Sequence, residues 1–355
     1  MDNQKQIAES RLETDRETKN LIEQLLMKAV VITGAGGPEV LEMRDVPQPQ
    51  AQAGEVLVRV RATALNRADV LQRQGRYPAP PGVPRDIPGL EFAGEVAACG
   101  PNANLWKPGQ RVFGLVAGGS YAEYLLAHER TLAEIPANLD FEAAAAVPEA
   151  FITAQDALWT QAQLRPGERV LIHAAGSGVG LAAVQLVAAI GAQAYGTSRT
   201  ADKIERAREY GLTDGAVIKD PGADLPPHVQ RWTGSAGFNA VLELVGGPYI
   251  AASIDALGQK GRLILVGTVA GGKMELSVAP IMSKRLTIRG TVMRARPLEE
   301  KIAAARSFAA EVVPLLARGV LRPTVDRVFP LAEARQAHEY MESNGNFGKI
   351  VLRVG

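Results

Sequence analysis

From Pro148 onward the chain alternates short apolar strands with helices, and this pattern constrains the fold more than any other feature of the sequence. "ERVLIHA" reads as a strand, "VGLAAVQLVAAIG" as a helix ended by Gly191, and "AQAYGTS" as a second strand. "TADKIERAREYG" reads as a helix capped by Thr200 and ended by Gly211; "AVLELVG", "GRLILVG" and "RLTIRGTV" supply further strands. Strand–helix alternation implies a parallel sheet with helices on both faces, because each parallel crossover needs a helix to return the chain.

The stretch before Pro148 has a different texture. "EVLVRVRATAL" alternates as a half-buried strand should. "GEVAACG", "GQRVFGL" and "GGSYAEYLLA" are short strands cut by turns, "KPG" at Lys107 among them. A compact β-rich domain is expected over 27–147 and a doubly wound α/β domain over 148–293. The segment 294–355 opens with one helix, "LEEKIAAARSFAAEVVPLLARG", and continues with "TVDRVFPL", the helix "AEARQAHEYMES" and the strand "GKIVLRV". It is expected to return to the first domain. Residues 1–26 form a charged extension before the natural first strand "MKAVVITG", with Ile22, Leu25 and Leu26 on one helical face; a mobile tail is expected there.

Composition excludes several classes. A net charge of +1 and 5% aromatic residues argue against a dedicated nucleic-acid platform. The one cysteine, Cys99, allows neither an internal disulfide nor a cysteine-built zinc site, and is expected in the core. No apolar run is long enough for a membrane span, and a cytoplasmic location is expected.

"HAAGSGVG", His173 to Gly180, joins a strand to a helix, the setting in which small residues let a helix N-terminus approach a pyrophosphate. Aligned on Gly178, Val179 and Gly180, the first two glycines of a Rossmann fingerprint become Ala175 and Ser177, and this turn is the expected pyrophosphate site. At the end of the second strand, where NAD enzymes carry a carboxylate, stand Ser198, Arg199 and, one turn on, Lys203. A hydroxyl and two cations suit a 2′-phosphate, so NADPH is the expected cofactor. His173 is expected to be structural.

"ALNRADVLQRQGRYPAPPG", "GLEFAGEV", "AAAVPEAFITAQDAL", "IHAAGSGVGLAAVQL", "GRLILVG" and "AHEYMESNGNFGKIVL" together resemble the zinc-free quinone oxidoreductases of the medium-chain dehydrogenase/reductase superfamily. The resemblance covers Met27 to Val354 and is strongest to the tumour-suppressor-inducible subgroup. It implies a GroES-like catalytic domain beside a Rossmann domain. The positions matching the zinc ligands of other members are Asn66, Leu90 and Glu149, a set that cannot hold zinc. The implied reaction is hydride delivery to a quinone or another conjugated carbonyl. Tyr77, before a proline-rich loop, is the candidate donor to the acceptor oxygen, with packing as its other reading. By the resemblance, Asn66 and Asp69 face the cofactor cleft; the alternatives are a turn former and a helix cap. Thr153, Gly267, Asn346 and Lys349 are carried over as cofactor contacts, and Lys219 stands where many relatives have Tyr.

Two other functions fit less well: reduction of an enoyl thioester, and non-catalytic NADPH binding with a nucleic-acid side role. The apolar, β-branched last strand near Arg285 to Val292 would be a bare sheet edge in a monomer, so a homodimer is expected.

Overall fold

The computed structural model describes residues 26–355; the expected N-terminal helix face, Leu26 apart, lies outside them. The chain builds two sheets and a hairpin. Strands β1 (Leu26–Ile32) and β2 (Leu41–Pro47) form the antiparallel hairpin. Strands β3 (Glu55–Ala64), β4 (Glu91–Cys99), β5 (Arg111–Leu115), β6 (Tyr124–His128) and β7 (Leu132–Glu134) belong to a seven-stranded sheet. Its other two members come from the far end of the chain. They are β14 (Val325–Pro330) and β15 (Lys349–Arg353), and the order is β14-β15-β3-β4-β5-β7 with β6 also on β3. The clean alternation expected of β3 is not what forms: Val56, Leu57 and Val58 are all buried. The strand is bonded along both edges, to β4 and to β6 and β15, and its residues enter two cores, Val56, Val58 and Val60 in one and Ala62 and Ala64 in the other.

The second sheet has six parallel strands: β8 (Arg169–Ile172), β9 (Gln193–Ser198), β10 (Leu212–Val217), β11 (Phe238–Glu243), β12 (Leu257–Leu265) and β13 (Thr287–Gly290). Their order, β10-β9-β8-β11-β12-β13, reverses direction beside β8, and such a reversal opens a crevice at the strands' carboxyl ends.

The helices are α1 (Arg67–Arg73), α2 (Phe141–Ala145), α3 (Pro148–Gln155), α4 (Gly178–Ala189), α5 (Ala201–Arg208), α6 (Pro221–Thr233), α7 (Pro248–Ala256), α8 (Ala279–Lys284), α9 (Leu298–Glu311), α10 (Val313–Ala317) and α11 (Ala334–Glu342). The single helix expected after Leu298 breaks at Val312 into α9 and α10. Pro314 explains the break, since proline has no N–H for the helical ladder and its ring crowds the preceding turn. Helix α3 is the joint between the sheets. Phe151 and Ile152 belong to one apolar core with Phe113 of β5, Val170 of β8 and Val184 of α4.

Candidate active site

The turn after β8 is shaped to bring backbone close to something. Ala174 has φ 52°, a left-handed conformation that a residue with a Cβ adopts at a cost. Ser177 then caps α4, its Oγ accepting from the Gly180 N–H at 3.1 Å. A Cβ on Gly180 would strike the Ala174 carbonyl oxygen, and one on Gly178 would lie 2.5 Å from Cδ of Lys349. The helix N-terminus is therefore kept bare by its neighbours, with Val179 partly exposed between the two glycines. The C-terminal segment closes on this turn: Gly348 N–H donates to Gly176 O at 2.9 Å. Asn346 braces the same closure through its side chain, Nδ2 donating to Gly348 O at 2.9 Å.

Ser198 ends β9 with its Oγ 3.4 Å from the Thr200 N–H, and Arg199 is exposed beside it. Lys203 does not share that freedom. Its ammonium donates to the carbonyls of Asn344 and Asn346, both at 2.7 Å, so it anchors the C-terminal loop to α5. Burial and then Arg199 hold its pKa below the usual lysine value. Of the two cations expected at a 2′-phosphate, Arg199 is the one without a hydrogen-bond partner among the described residues. Lys219 stands apart on the surface, its N–H bound to the Asp224 carboxylate at 2.9 Å. Gly267 follows β12 and donates its N–H to Glu243 O at 3.2 Å.

Across the seam lies a buried polar cluster. The Lys349 ammonium donates to Leu65 O at 2.8 Å and Asn66 Oδ1 at 2.6 Å, and pairs with Glu91 Oε1 at 2.6 Å. Its charge points away from the nucleotide turn; only its methylene stem lies against Gly178. Asn66 Nδ2 donates to Glu91 Oε1 at 2.9 Å, so the amide of Asn66 is engaged at both ends. Asp69 is fully buried and does not face an open cleft. Its carboxylate accepts from the N–H groups of Asn66 (2.8 Å) and Gly89 (3.2 Å) and from the Tyr121 hydroxyl (3.3 Å). Asp69 thus serves the start of α1, the alternative weighed above, and burial raises its pKa to about 6.

Glu149 opens α3 and remains partly exposed. Its N–H donates to Glu91 Oε2 at 2.8 Å, and its Oε1 accepts from Thr153 Oγ1 at 3.5 Å. Burial raises its pKa to about 7; Lys349 pulls the value down, while Glu91 and Asp69 push it up. Tyr77 is close enough to feel the Glu149 charge, and its ring lies over the Arg294 guanidinium, 4.9 Å from centroid to Cζ. Leu90 is buried and apolar. His173 is buried and neutral, with Nδ1 2.8 Å from Thr197 Oγ1 and Nε2 3.0 Å from Ser253 Oγ, so it serves the fold. Cys99 is only partly buried, its thiol 3.3 Å from Trp106 O.

Two residues of this site escaped the sequence reading, Glu91 and Arg294. Glu91 had a signal, a lone charge entering the apolar run "EFAGEV". Arg294 had none.

A seven-stranded, mostly antiparallel sheet joined to a six-stranded parallel sheet, with a bare helix N-terminus facing the seam, defines a medium-chain dehydrogenase/reductase. Comparison with known proteins narrows the class. Residues 52–137 match the alcohol dehydrogenase GroES-like domain and residues 216–352 match the zinc-binding dehydrogenase family. The quinone oxidoreductase of Lama guanicoe is 35% identical over 335 residues, covering 93% of this chain and 98% of that protein. The Escherichia coli quinone oxidoreductase solved with NADPH superposes with a TM-score of 0.82 at 29% identity, covering 92% of this chain and 99% of that one. A crystal structure of an NAD-dependent alcohol dehydrogenase superposes with a TM-score of 0.82 at 34% identity, covering 93% and 100%. The chain belongs to the quinone oxidoreductase family of the medium-chain dehydrogenase/reductase superfamily.

Proposed function

We propose that this protein reduces quinones, or other conjugated carbonyls, with NADPH and without a catalytic metal. The observation that carries the reading is the occupant of the would-be metal position. A cation there meets the apolar side chain of Leu90 and an Asn66 oxygen already bound to the Lys349 ammonium at 2.6 Å. Like charge and missing donors oppose zinc together. Without a Lewis acid an alkoxide is poorly stabilised, whereas a conjugated acceptor spreads the incoming charge itself.

The residues fit the cofactor at the turn: Ser177, Gly178, Val179 and Gly180 present the helix N-terminus to a pyrophosphate, and Ser198 with Arg199 face the ribose phosphate. When bound, NADPH supplies the hydride. The chain's own groups do the rest. Tyr77 donates a hydrogen bond to the acceptor oxygen, where negative charge develops. Glu149, protonated near neutral pH, supplies the proton that completes the hydroquinone. Thr153 holds Glu149 in place, and Asn66 and Lys349 fix the floor beneath it. A homodimer formed through β13 and a cytoplasmic location belong to the same reading. Among the described residues no helix is long and apolar enough to cross a membrane.

The test is NADPH oxidation by the purified protein across a panel of small quinones and enones, with and without a chelator. Turnover untouched by the chelator is expected, as is a larger loss in kcat than in NADPH affinity for Tyr77→Phe. Stoichiometric zinc whose removal abolishes turnover, or no turnover with any acceptor, would overturn the proposal.

A further inference from the structure

Arg294 lies just beyond β13, on the segment leading to α9, and is only 6% exposed. Its guanidinium donates in three directions. Nε reaches Ala117 O at 2.6 Å, Nη1 reaches Tyr77 O at 3.1 Å, and Nη2 reaches Gln72 Oε1 at 2.6 Å. The three acceptors come from three separate pieces of the first sheet's surroundings: the loop after β5, the proline-rich loop and α1. The guanidinium also lies against the Tyr77 ring. None of these partners is a carboxylate. A buried cation matched by neutral acceptors and one aromatic face is a costly arrangement, and it fixes the geometry of everything it touches.

The segment that carries Arg294 is itself clamped from the other side. Thr291 Oγ1 donates to Asp156 Oδ2 at 2.9 Å. Arg296 binds both oxygens of Asp156, at 2.9 and 2.6 Å. Asp156 follows α3, so the clamp belongs to the joint between the sheets. Arg294 and Arg296 therefore make a rigid bracket: one arm holds the joint, the other holds the loop that bears Tyr77.

We propose that Arg294 is the positioning residue for Tyr77. It fixes the Tyr77 loop against the cleft and ties that loop to the edge of the parallel sheet, so that the acceptor is held at a set height relative to the cofactor turn. Its nitrogens are spent on holding, and it takes no part in the chemistry. The inference rests on the reading that Tyr77 touches the acceptor.

The experiment uses Arg294→Lys, Tyr77→Phe and the double variant of the full chain. Lysine keeps the charge and loses the planar fork. In Arg294→Lys the quinone kcat/KM should fall about tenfold, mainly through kcat as in Tyr77→Phe, with NADPH KM within about twofold. Amide exchange across residues 75–84 should quicken while that of β8 to β12 stays as it was. In the Tyr77→Phe background the second change should add less than about twofold, because groups acting as one unit are non-additive. Should Arg294→Lys not fold, Gln72→Met removes one acceptor and gives the same readouts. Unchanged quinone kcat/KM and unchanged exchange at 75–84 would overturn the proposal, and so would fully additive losses in the double variant. Faster exchange at 75–84 with a kinetically silent Tyr77→Phe would uphold the positioning and reject only the acceptor reading.

Discussion

Lys349 and Glu91 meet at 2.6 Å with side-chain exposures of 6% and 0%. The pair joins β15, near the end of the chain, to β4, and Glu91 passes the connection to the first turn of α3 through the Glu149 N–H. Each ion has left water, so each depends on the other and on the neighbouring Leu65 carbonyl and Asn66 amide. Removing one partner strands the other. Lys349→Met should destabilise the protein by about 3–5 kcal/mol, the usual consequence of an uncompensated buried charge. Adding Glu91→Gln should recover most of that loss. Urea unfolding of the three proteins checks it; an unchanged midpoint for Lys349→Met would show that Glu91 finds another partner.

Cofactor choice should turn on Ser198 and Arg199. A 2′-phosphate placed there would meet a hydroxyl and an exposed guanidinium, and charge-assisted bonds of this kind contribute about 1.5 to 3 kcal/mol before solvent screening. The expected NADPH preference is about ten- to a thousandfold in kcat/KM, at about 1.4 kcal/mol per tenfold. Ser198→Asp should weaken NADPH and spare NADH. Arg199→Ala should remove most of the preference by itself. Lys203→Ala should instead disturb both cofactors alike, because its ammonium holds the loop of Asn344 and Asn346. Equal use of both cofactors by the wild type would make these residues mere surface.

The parallel sheet was legible because its instructions are local. Apolar runs of strand length and the Gly191 and Gly211 stops each act within a few residues of themselves, whereas Thr200 holds the N-cap position of α5 without a side-chain capping bond. The directions of the charges were not legible. Lys203 and Lys349 sit where a cofactor contact was expected, yet each ammonium is captured by groups distant in the chain: Asn344 and Asn346 in one case, Asn66 and Glu91 in the other. Such capture depends on tertiary approach, which no spacing reveals. Helix α6 carries no clear signal for a different reason, since Pro226 and Pro227 stand inside it and proline normally breaks a helix.

The free edge of the parallel sheet should form the dimer contact. All four residues of β13 are exposed, Ile288 among them, and Val292 at 55% and Met282 at 74% extend the apolar patch. A bare edge with apolar side chains is satisfied by pairing with its twofold mate. Light scattering at micromolar concentration should give a dimer for the wild type and a monomer for Ile288→Lys. A monomeric wild type would leave the edge to some other partner.

Glu149 should set the pH dependence of both turnover and stability. Burial raises its pKa to about 7, and the charges facing it are Lys349, Glu91 and Asp69, with Tyr77 nearby. As a proton donor it works in its acid form, so kcat should be level at low pH and fall as pH rises through about 7. Positioned general acids contribute about a hundredfold or more, but a hydroquinone oxygen also takes protons from water, so Glu149→Gln should cost about tenfold below neutrality. The same substitution should flatten the profile across pH 7. Stability follows the same sign. The folded protein holds this proton more tightly than the unfolded chain, so the stabilisation is complete below the ordinary carboxylate value of 4.5 and is lost as pH rises through about 7. Asp69, raised to about 6, adds a loss of the same sign over a lower window. Denaturant midpoints measured across this range should therefore decline toward neutrality in the wild type, and less steeply in Glu149→Gln. A variant with full activity and an unaltered kcat profile would exclude Glu149 as the proton source and leave that role to solvent.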